Sequence, residues 1–337
     1  MSTGGAPRAL AMKTLDVVCF GEALWDLYEA APRLGEPIAR SFRRELGGAA
    51  SNAAIALARL GLRAAVVGGV GRDFLGDALA CQLAKEGVDT RLLVTTPERT
   101  GLTFVTRDAA GEPAFLAYRH DSADMALTRA HIRKAMGRSR WALVGTTTLI
   151  APTLASATAR FVRVSRAEGA RIAVDLNARR HLWPSGALLQ AAAAKLVARA
   201  SLVKASAADL DAVAKGRGKK WLAEHAPRAT WVLTSGPGVA SAVGDHGEVR
   251  LRARRAHCVD ATGAGDAFMA GVLAVLLSAE AVPGSSAWRD PAVWSMALDV
   301  GHRLGAKAVG RAGAVAGLVQ LGPIRARVRS IARPASR

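Results

Sequence analysis

Cysteine and aromatic residues are scarce in this chain, and each scarcity removes a class of function. The cysteines, Cys19, Cys81 and Cys258, stand far apart with no Cys-x-x-Cys spacing. That excludes a zinc ribbon or a disulfide framework and fits a reducing compartment. The histidines (His120, His131, His181, His225, His246, His257 and His302) show no metal-ligand spacing and read as surface or satisfied core residues. Aromatics make up 5% of the chain and do not interleave with its basic residues, as a single-strand binder would need. The net charge of +19 is therefore read as dispersed arginine that attracts anionic substrates, which argues against nucleic acid as a main partner.

Long apolar runs are missing too. The longest, Ala267–Leu277, falls short of the about 20 residues that span a bilayer and reads as a buried helix. The opening MSTGGAPRALAMK has no apolar segment of useful length, so no signal peptide is expected, Met12 is an alternative start, and the chain reads as cytoplasmic. No G-x-x-x-x-G-K-[ST] loop, H-E-x-x-H or G-x-S-x-G occurs. The pair Gly69-Val70-Gly71 is followed by Arg72-Asp73-Phe74, so the dinucleotide fingerprint fails at its third glycine.

What remains is an Ala-rich chain, 50% hydrophobic, with enough apolar residues for a full core. Apolar runs at Leu15–Phe20, Ala64–Val67, Trp141–Val144, Ile172–Val174, Leu202–Val203 and Trp231–Leu233 read as strands. They alternate with helical segments at Ala49–Leu60 and Phe74–Glu86, each stopped by glycine, and the chain after Asp266 reads as mainly helical. That rhythm predicts an α/β fold of about eight or nine mostly parallel strands with helices on both faces. Two segments break it. Tyr28–Leu46 is polar and rich in Pro and Arg, and Thr100–Arg119 alternates like a hairpin, with its turn at Asp108–Gly111. Together they predict a small β lid, drawn from about 27–46 and 99–122. The expected domain runs over 15–320, with flexible tails at 1–14 and 323–337.

Two glycine motifs carry the chemistry. Asp260-Ala261-Thr262-Gly263-Ala264-Gly265-Asp266 stands at the mouth of the apolar helix. Unpaired amides at a helix start bind anions, and glycine lets the backbone approach a phosphate. A carboxylate in the same turn suits deprotonation of an attacking hydroxyl; on spacing alone, Asp266 also reads as a helix cap. The second motif, Gly47-Gly48-Ala49-Ala50-Ser51-Asn52, opens the first helix. It suits a polyol lying against the backbone, or simply a tight turn.

Together these motifs resemble the PfkB, or ribokinase-like, family of carbohydrate kinases, whose signatures are G-G-x-x-x-N and D-[TA]-T-G-A-G-D. Further similarities extend from Val17 to about Gly313. They include Phe20–Asp26 (FGEALWD), Val67–Gly76, Tyr118-Arg119 with Ser122–Met125, and Asp175–Arg179 with Leu182-Trp183. The resemblance implies a three-layer α/β sandwich with a mostly parallel central sheet and a β lid. It implies Asp266 as catalytic base and Gly263, Ala264 and Gly265 as the anion hole. Asp26, Gly47, Gly48 and Asn52 would grip sugar hydroxyls, with Arg119 reaching in from the lid and Arg179 meeting the phosphates or the substrate. ATP would touch Lys204, Ser206, Thr234 and Gly236, with Mg²⁺ on its phosphates. In place of the family's Asn-x-x-Glu for that metal stands Ser206-Ala207-Ala208-Asp209, making Asp209 its counterpart. K⁺ would sit beside the anion hole, between Asp260 and Gly313. Trp25 and Trp183 are candidates for the site wall or the core. Within the family the patterns look most like fructokinases, with kinases for sugar acids such as 2-keto-3-deoxygluconate as the alternative. A non-catalytic sugar or nucleic-acid binder on the same fold is the remote one. Lids of this family commonly pair across a homodimer.

Overall fold

The computed structural model describes residues 14–30, 41–107, 113–133, 136, 138–253 and 255–318. The expected tails, most of the polar stretch before Phe42 and the hairpin turn at Asp108–Gly111 lie outside the described residues. In chain order the elements are β1 (Leu15–Phe20), β2 (Leu24–Glu29), β3 (Phe42–Gly47), α1 (Ala49–Arg59), β4 (Ala64–Val67), β5 (Gly69–Gly71), α2 (Phe74–Lys85) and β6 (Val94–Thr96). There follow β7 (Leu102–Arg107), β8 (Pro113–Tyr118), β9 (Ser139–Gly145), α3 (Pro152–Ala167), β10 (Arg171–Asp175), α4 (Gly186–Val197), β11 (Leu202–Ser206), α5 (Ala207–Ala214) and α6 (Gly218–His225). The chain closes with β12 (Thr230–Thr234), β13 (Val239–Gly244), β14 (Gly247–Arg252), α7 (Ala264–Ser278), α8 (Ser286–Arg289) and α9 (Pro291–Ala308).

Eight strands form the main sheet in the order β14-β13-β12-β11-β10-β9-β1-β4. All neighbours are parallel except β12–β13 and β13–β14, which are antiparallel. β1 lies inside the sheet, Val18 opposite both Ala65 and Ala142, and is buried along its whole length. This is why LDVVCF is apolar throughout instead of alternating. One apolar cluster packs under α1 and α7 and the other under α3, α4 and α6, so helices cover both faces. α7 is buried from Ala267 to Leu277. A helix apolar on every side is stable only when enclosed, and here α1 and α9 enclose it. None of the described helices is long and apolar enough to cross a membrane.

A second sheet, β3-β2-β7-β8, is the expected lid, with β7 and β8 as its hairpin. Its extent differs from the expected one in a way that matters. β2 begins at Leu24, so Asp26 is a lid residue, opposite Glu45 on β3 and Thr103 on β7. The hairpin of β13 and β14 extends the main sheet beyond the strands expected from apolar runs.

Candidate active site

Parallel strands of one sheet end on one side, and the loops there gather the polar side chains. β10 ends at Asp175, β11 carries Lys204, and β12 ends at Thr234. α7 starts beside them, with Gly263 as its N-cap at φ 76°. A Cβ on Gly263 would lie 2.4 Å from the carbonyl oxygen of Ala314, so this position needs glycine for both conformation and space. Asp260 locks the same loop. Its Oδ1 accepts from the Thr262 amide and hydroxyl, and its Oδ2 accepts from the Gly313 amide at 2.9 Å. Gly313 and Asp260 are thus brought together. Arg59, at the end of α1, donates to the carbonyls of Val315 and Leu318 and pairs with Glu86, holding the 313–318 segment beside the loop of Asp260 to Gly263.

Ala261, Thr262, Gly263, Gly265 and Asp266 line a cleft of about 210 Å³, closed by Asp175, Asn177, Arg179, Lys204 and, from β8, Phe115. Asn52, in the first turns of α1, donates from Nδ2 to Asp266 Oδ2 at 2.9 Å. The other atom of the amide, Oδ1, is buried with no hydrogen-bond partner among the described residues. Gly47 and Gly48 make room for neighbours just before this helix. A Cβ on Gly47 would lie 2.5 Å from the Asp26 carboxylate, and Gly48, at φ 95°, sits against the Glu22 carbonyl. The two glycine motifs, far apart in sequence, therefore meet through Asn52 and Asp266.

The electrostatics suit proton transfer. Burial lifts the Asp266 carboxyl to about 7, the charge of Asp175 adds to this, and Asn52, Lys204 and Arg179 oppose it. Burial also lifts Asp26 to about 7, reinforced by Asp260 and Asp266 and opposed by Arg179 and Arg119. A carboxyl poised near neutrality can accept a proton from a hydroxyl and keep it through a reaction. Arg179, in a left-handed conformation at φ 38°, lines the cleft from the turn after β10. Arg119 has other partners. It meets Asp124 at 2.5 Å and Glu22 at 3.5 Å, so two carboxylates face its one charge.

A second cleft of about 270 Å³ opens on the other side of the α7 N-terminus. It is lined by Lys204, Thr234, Gly236, Ala264, Gly265 and apolar atoms from Phe268 and Val309. Ser206 and Asp209 stand nearby but serve α5. Ser206 is its N-cap, Asp209 Oδ2 accepts from the Ser206 amide and hydroxyl, and Oδ1 accepts from the Ala178 amide. Asp209 thus spends both oxygens on the chain itself. Among the described residues no group of three His, Cys, Asp or Glu could hold a metal ion. Trp25 and Trp183 are packing residues, Trp25 lying beneath the Arg44 guanidinium at 4.2 Å from the ring centre.

Sequence reasoning did not single out Asp175 and Asn177, which line the first cleft, or Glu22, which faces Arg119. A signal was present for the first. A carboxylate ending the apolar run of β10 and a lysine inside the apolar run of β11 both need partners, and neighbouring parallel strands supply them.

The family model described as pfkB family carbohydrate kinase matches residues 14–320. Fructokinase-1 of Oryza sativa subsp. japonica is 35% identical over 268 residues, covering 76% of this chain and 81% of its own. Fructokinase-1 of Zea mays is 34% identical over 268 residues, with coverage of 76% and 81%. Among solved structures, the ATP-bound fructokinase of Xylella fastidiosa superposes with a TM-score of 0.80 at 29% identity, over 94% of this chain and 97% of that one. The aminoimidazole riboside kinase of Salmonella enterica shares the fold, with a TM-score of 0.76 at 23% identity over 94% and 100%.

Proposed function

We propose, from the premise that this chain belongs to the pfkB family of carbohydrate kinases, that it transfers the γ-phosphoryl group of ATP to a hydroxyl of a neutral sugar, fructose being the first candidate. The carrying observation is the Asn52–Asp266 hydrogen bond at the mouth of α7, which joins the sugar-side motif to the anion-side motif. In this reading Asp266 takes the proton of the attacking hydroxyl, and the backbone of Gly263, Ala264 and Gly265 receives the phosphoryl group. Asp26, Gly47, Gly48, Asn52 and Arg179 hold the sugar. Asn52 offers its unpartnered Oδ1 to a sugar hydroxyl, which would satisfy a buried acceptor. The nucleotide enters the second cleft past Lys204, Thr234 and Gly236.

Mg²⁺ travels on the ATP phosphates in this reading, since the described residues supply no ligand cluster and Asp209 is occupied as a cap. K⁺ would sit between the loop of Asp260 and that of Gly313, which the Asp260 carboxylate ties together by accepting from the Gly313 amide.

The choice of a neutral sugar rests on Arg119. A lid arginine free to meet a substrate carboxylate would favour a sugar acid. This one is neutralised by Asp124 and Glu22, and Asp26 adds a further carboxyl nearby. In a coupled assay with Mg·ATP, kcat/KM for fructose should exceed that for 2-keto-3-deoxygluconate by about tenfold or more. A sugar acid turned over faster than fructose, ribose and nucleosides would overturn the assignment.

The lid also supports a homodimer. β8 is its edge strand, with Leu116 58% and Tyr118 61% exposed, and an uncovered apolar edge favours pairing with a second copy. Leu116→Lys with Tyr118→Lys should shift the light-scattering mass from dimer to monomer; a monomeric parent chain would refute the pairing.

A further inference from the structure

Asp175 and Lys204 are the most enclosed charged pair in the cleft, and neither sugar grip nor hydroxyl deprotonation accounts for Asp175. They sit opposite each other in the register of β10 and β11. Lys204 Nζ donates to Asp175 Oδ1 at 2.8 Å and to Oδ2 at 2.7 Å. Lys204 lines both clefts. A Cβ on Gly265 would lie 3.0 Å from Nζ, so the ammonium rests against the first turn of α7, one residue before Asp266. A buried ion pair is a poor way to gain stability, because two charges are stripped of water for one another. Its position between the clefts calls for another explanation.

We propose that Asp175 is a positioning residue that keeps Lys204 charged and aimed at the transferring phosphoryl group, and that it yields the ammonium to the phosphate when ATP binds. Burial alone would strip the proton from Lys204, whereas Asp175 and Asp209 hold its ammonium above the ordinary lysine range. An incoming phosphate outbids one carboxylate for that charge. Once Lys204 is shared with phosphate, its positive charge is offset there and no longer favours the Asp266 carboxylate as strongly. The base then binds a proton more tightly at the stage when it must take one from the sugar. No bond is made or broken in this hand-over; the ammonium changes partner. The groups facing Asp266 are Asp175 from β10, Lys204 from β11, Arg179 from the following turn, Asn52 from α1, Asp26 from β2 and the thiol of Cys19 from β1. Of these, Asp175 and Lys204 are the charges directly bonded to each other.

The inference rests on Asp266 as the base, and the experiment separates the two. Asp175→Asn, Lys204→Met and the double variant are assayed with Mg·ATP and the sugar of highest turnover in the screen above. Each single variant should lose about 10²-fold in kcat, with KM for the sugar within about threefold of the parent. The double variant should lose no more than the worse single one, because the pair acts as a unit. The acidic limb of the kcat/KM profile should move to lower pH in Asp175→Asn, which removes a negative neighbour, and to higher pH in Lys204→Met. Asp175→Glu, which keeps the charge, should leave it in place. Additive losses, or an Asp175→Asn enzyme with parental kcat and an unmoved acidic limb, would overturn the inference. Should Asp175→Asn fail to fold, the double variant decides: neutral on both sides, it should fold, bind sugar and still lose turnover, and parental turnover in it would refute the proposal. Turnover surviving in Asp266→Asn would instead refute the base itself.

Discussion

Asp266→Asn should lower kcat by about 10²- to 10⁴-fold, the range that positioned proton transfer contributes, while ATP still binds. It should also raise thermal stability at alkaline pH. The folded carboxyl is pushed up to about 7 from an ordinary value of 3.8, with burial as the main cause and Asp175 next. Between those values the folded protein carries a proton that the unfolded chain has released, so stability falls as pH rises through this window. Above about pH 7 the native state bears a buried negative charge that an amide would not carry. The melting temperature of Asp266→Asn should therefore exceed that of the parent at pH 8, by on the order of a few degrees, and the gap should narrow towards pH 5. Parallel melting scans and initial rates check both halves. A variant that is both inactive and less stable at pH 8 would mean that the carboxylate is primarily a structural hydrogen-bond acceptor for Asn52.

Gly263→Ala should be nearly as damaging by a different route. At φ 76° the backbone already disfavours a side chain, and the new methyl would lie 2.4 Å from the Ala314 oxygen and 2.7 Å from its Cα. Both are backbone atoms in a segment tied down by Asp260 at Gly313 and by Arg59 at Val315 and Leu318. Neither side of the clash can yield without moving the loop of Asp260 to Gly263 or the start of α7. The expected result is a loss of about 10²- to 10³-fold in kcat, comparable to removing a donor from an oxyanion hole. Gly247→Ala is the control. Its φ is 84°, but nothing lies within 4 Å of the added methyl, so it bears the conformational cost alone. It should lower the melting temperature and leave kcat unchanged, which separates strain in general from displacement of this loop.

Much of the fold was legible because buried parallel strands are continuous apolar runs. Leu15–Phe20 and Ala64–Val67 have the bounds that their composition implies, and α1 begins at Ala49 as its glycine pair indicates. β2 was not legible. It follows β1 after three residues, Gly21 to Ala23, so apolar content alone reads as one strand and its sequel. Only pairing with β3 and β7 shows that the chain has left the main sheet for the lid, carrying Asp26 with it. The β13–β14 hairpin escaped for a related reason: β14 alternates with its outer face exposed and so contains no continuous apolar run. Arg119 illustrates the limit for site residues. Its motif marks a functional arginine, but whether its charge is available depends on Glu22, reached only through the fold.

By itself the sequence determined the chemistry on offer: a glycine-opened helix ending its first turn in Asp266, and a second glycine pair leading to Asn52. Those are local properties of backbone conformation and of helix termini, and a few residues specify them. Tertiary structure decided how that chemistry is tuned. The carboxyl of Asp266 stands near 7 because strands and helices distant in sequence bury it beside Asp175, and because Asn52 and Lys204 are brought within reach. Desolvation and charge proximity are sums over neighbours in space, so no motif contains them.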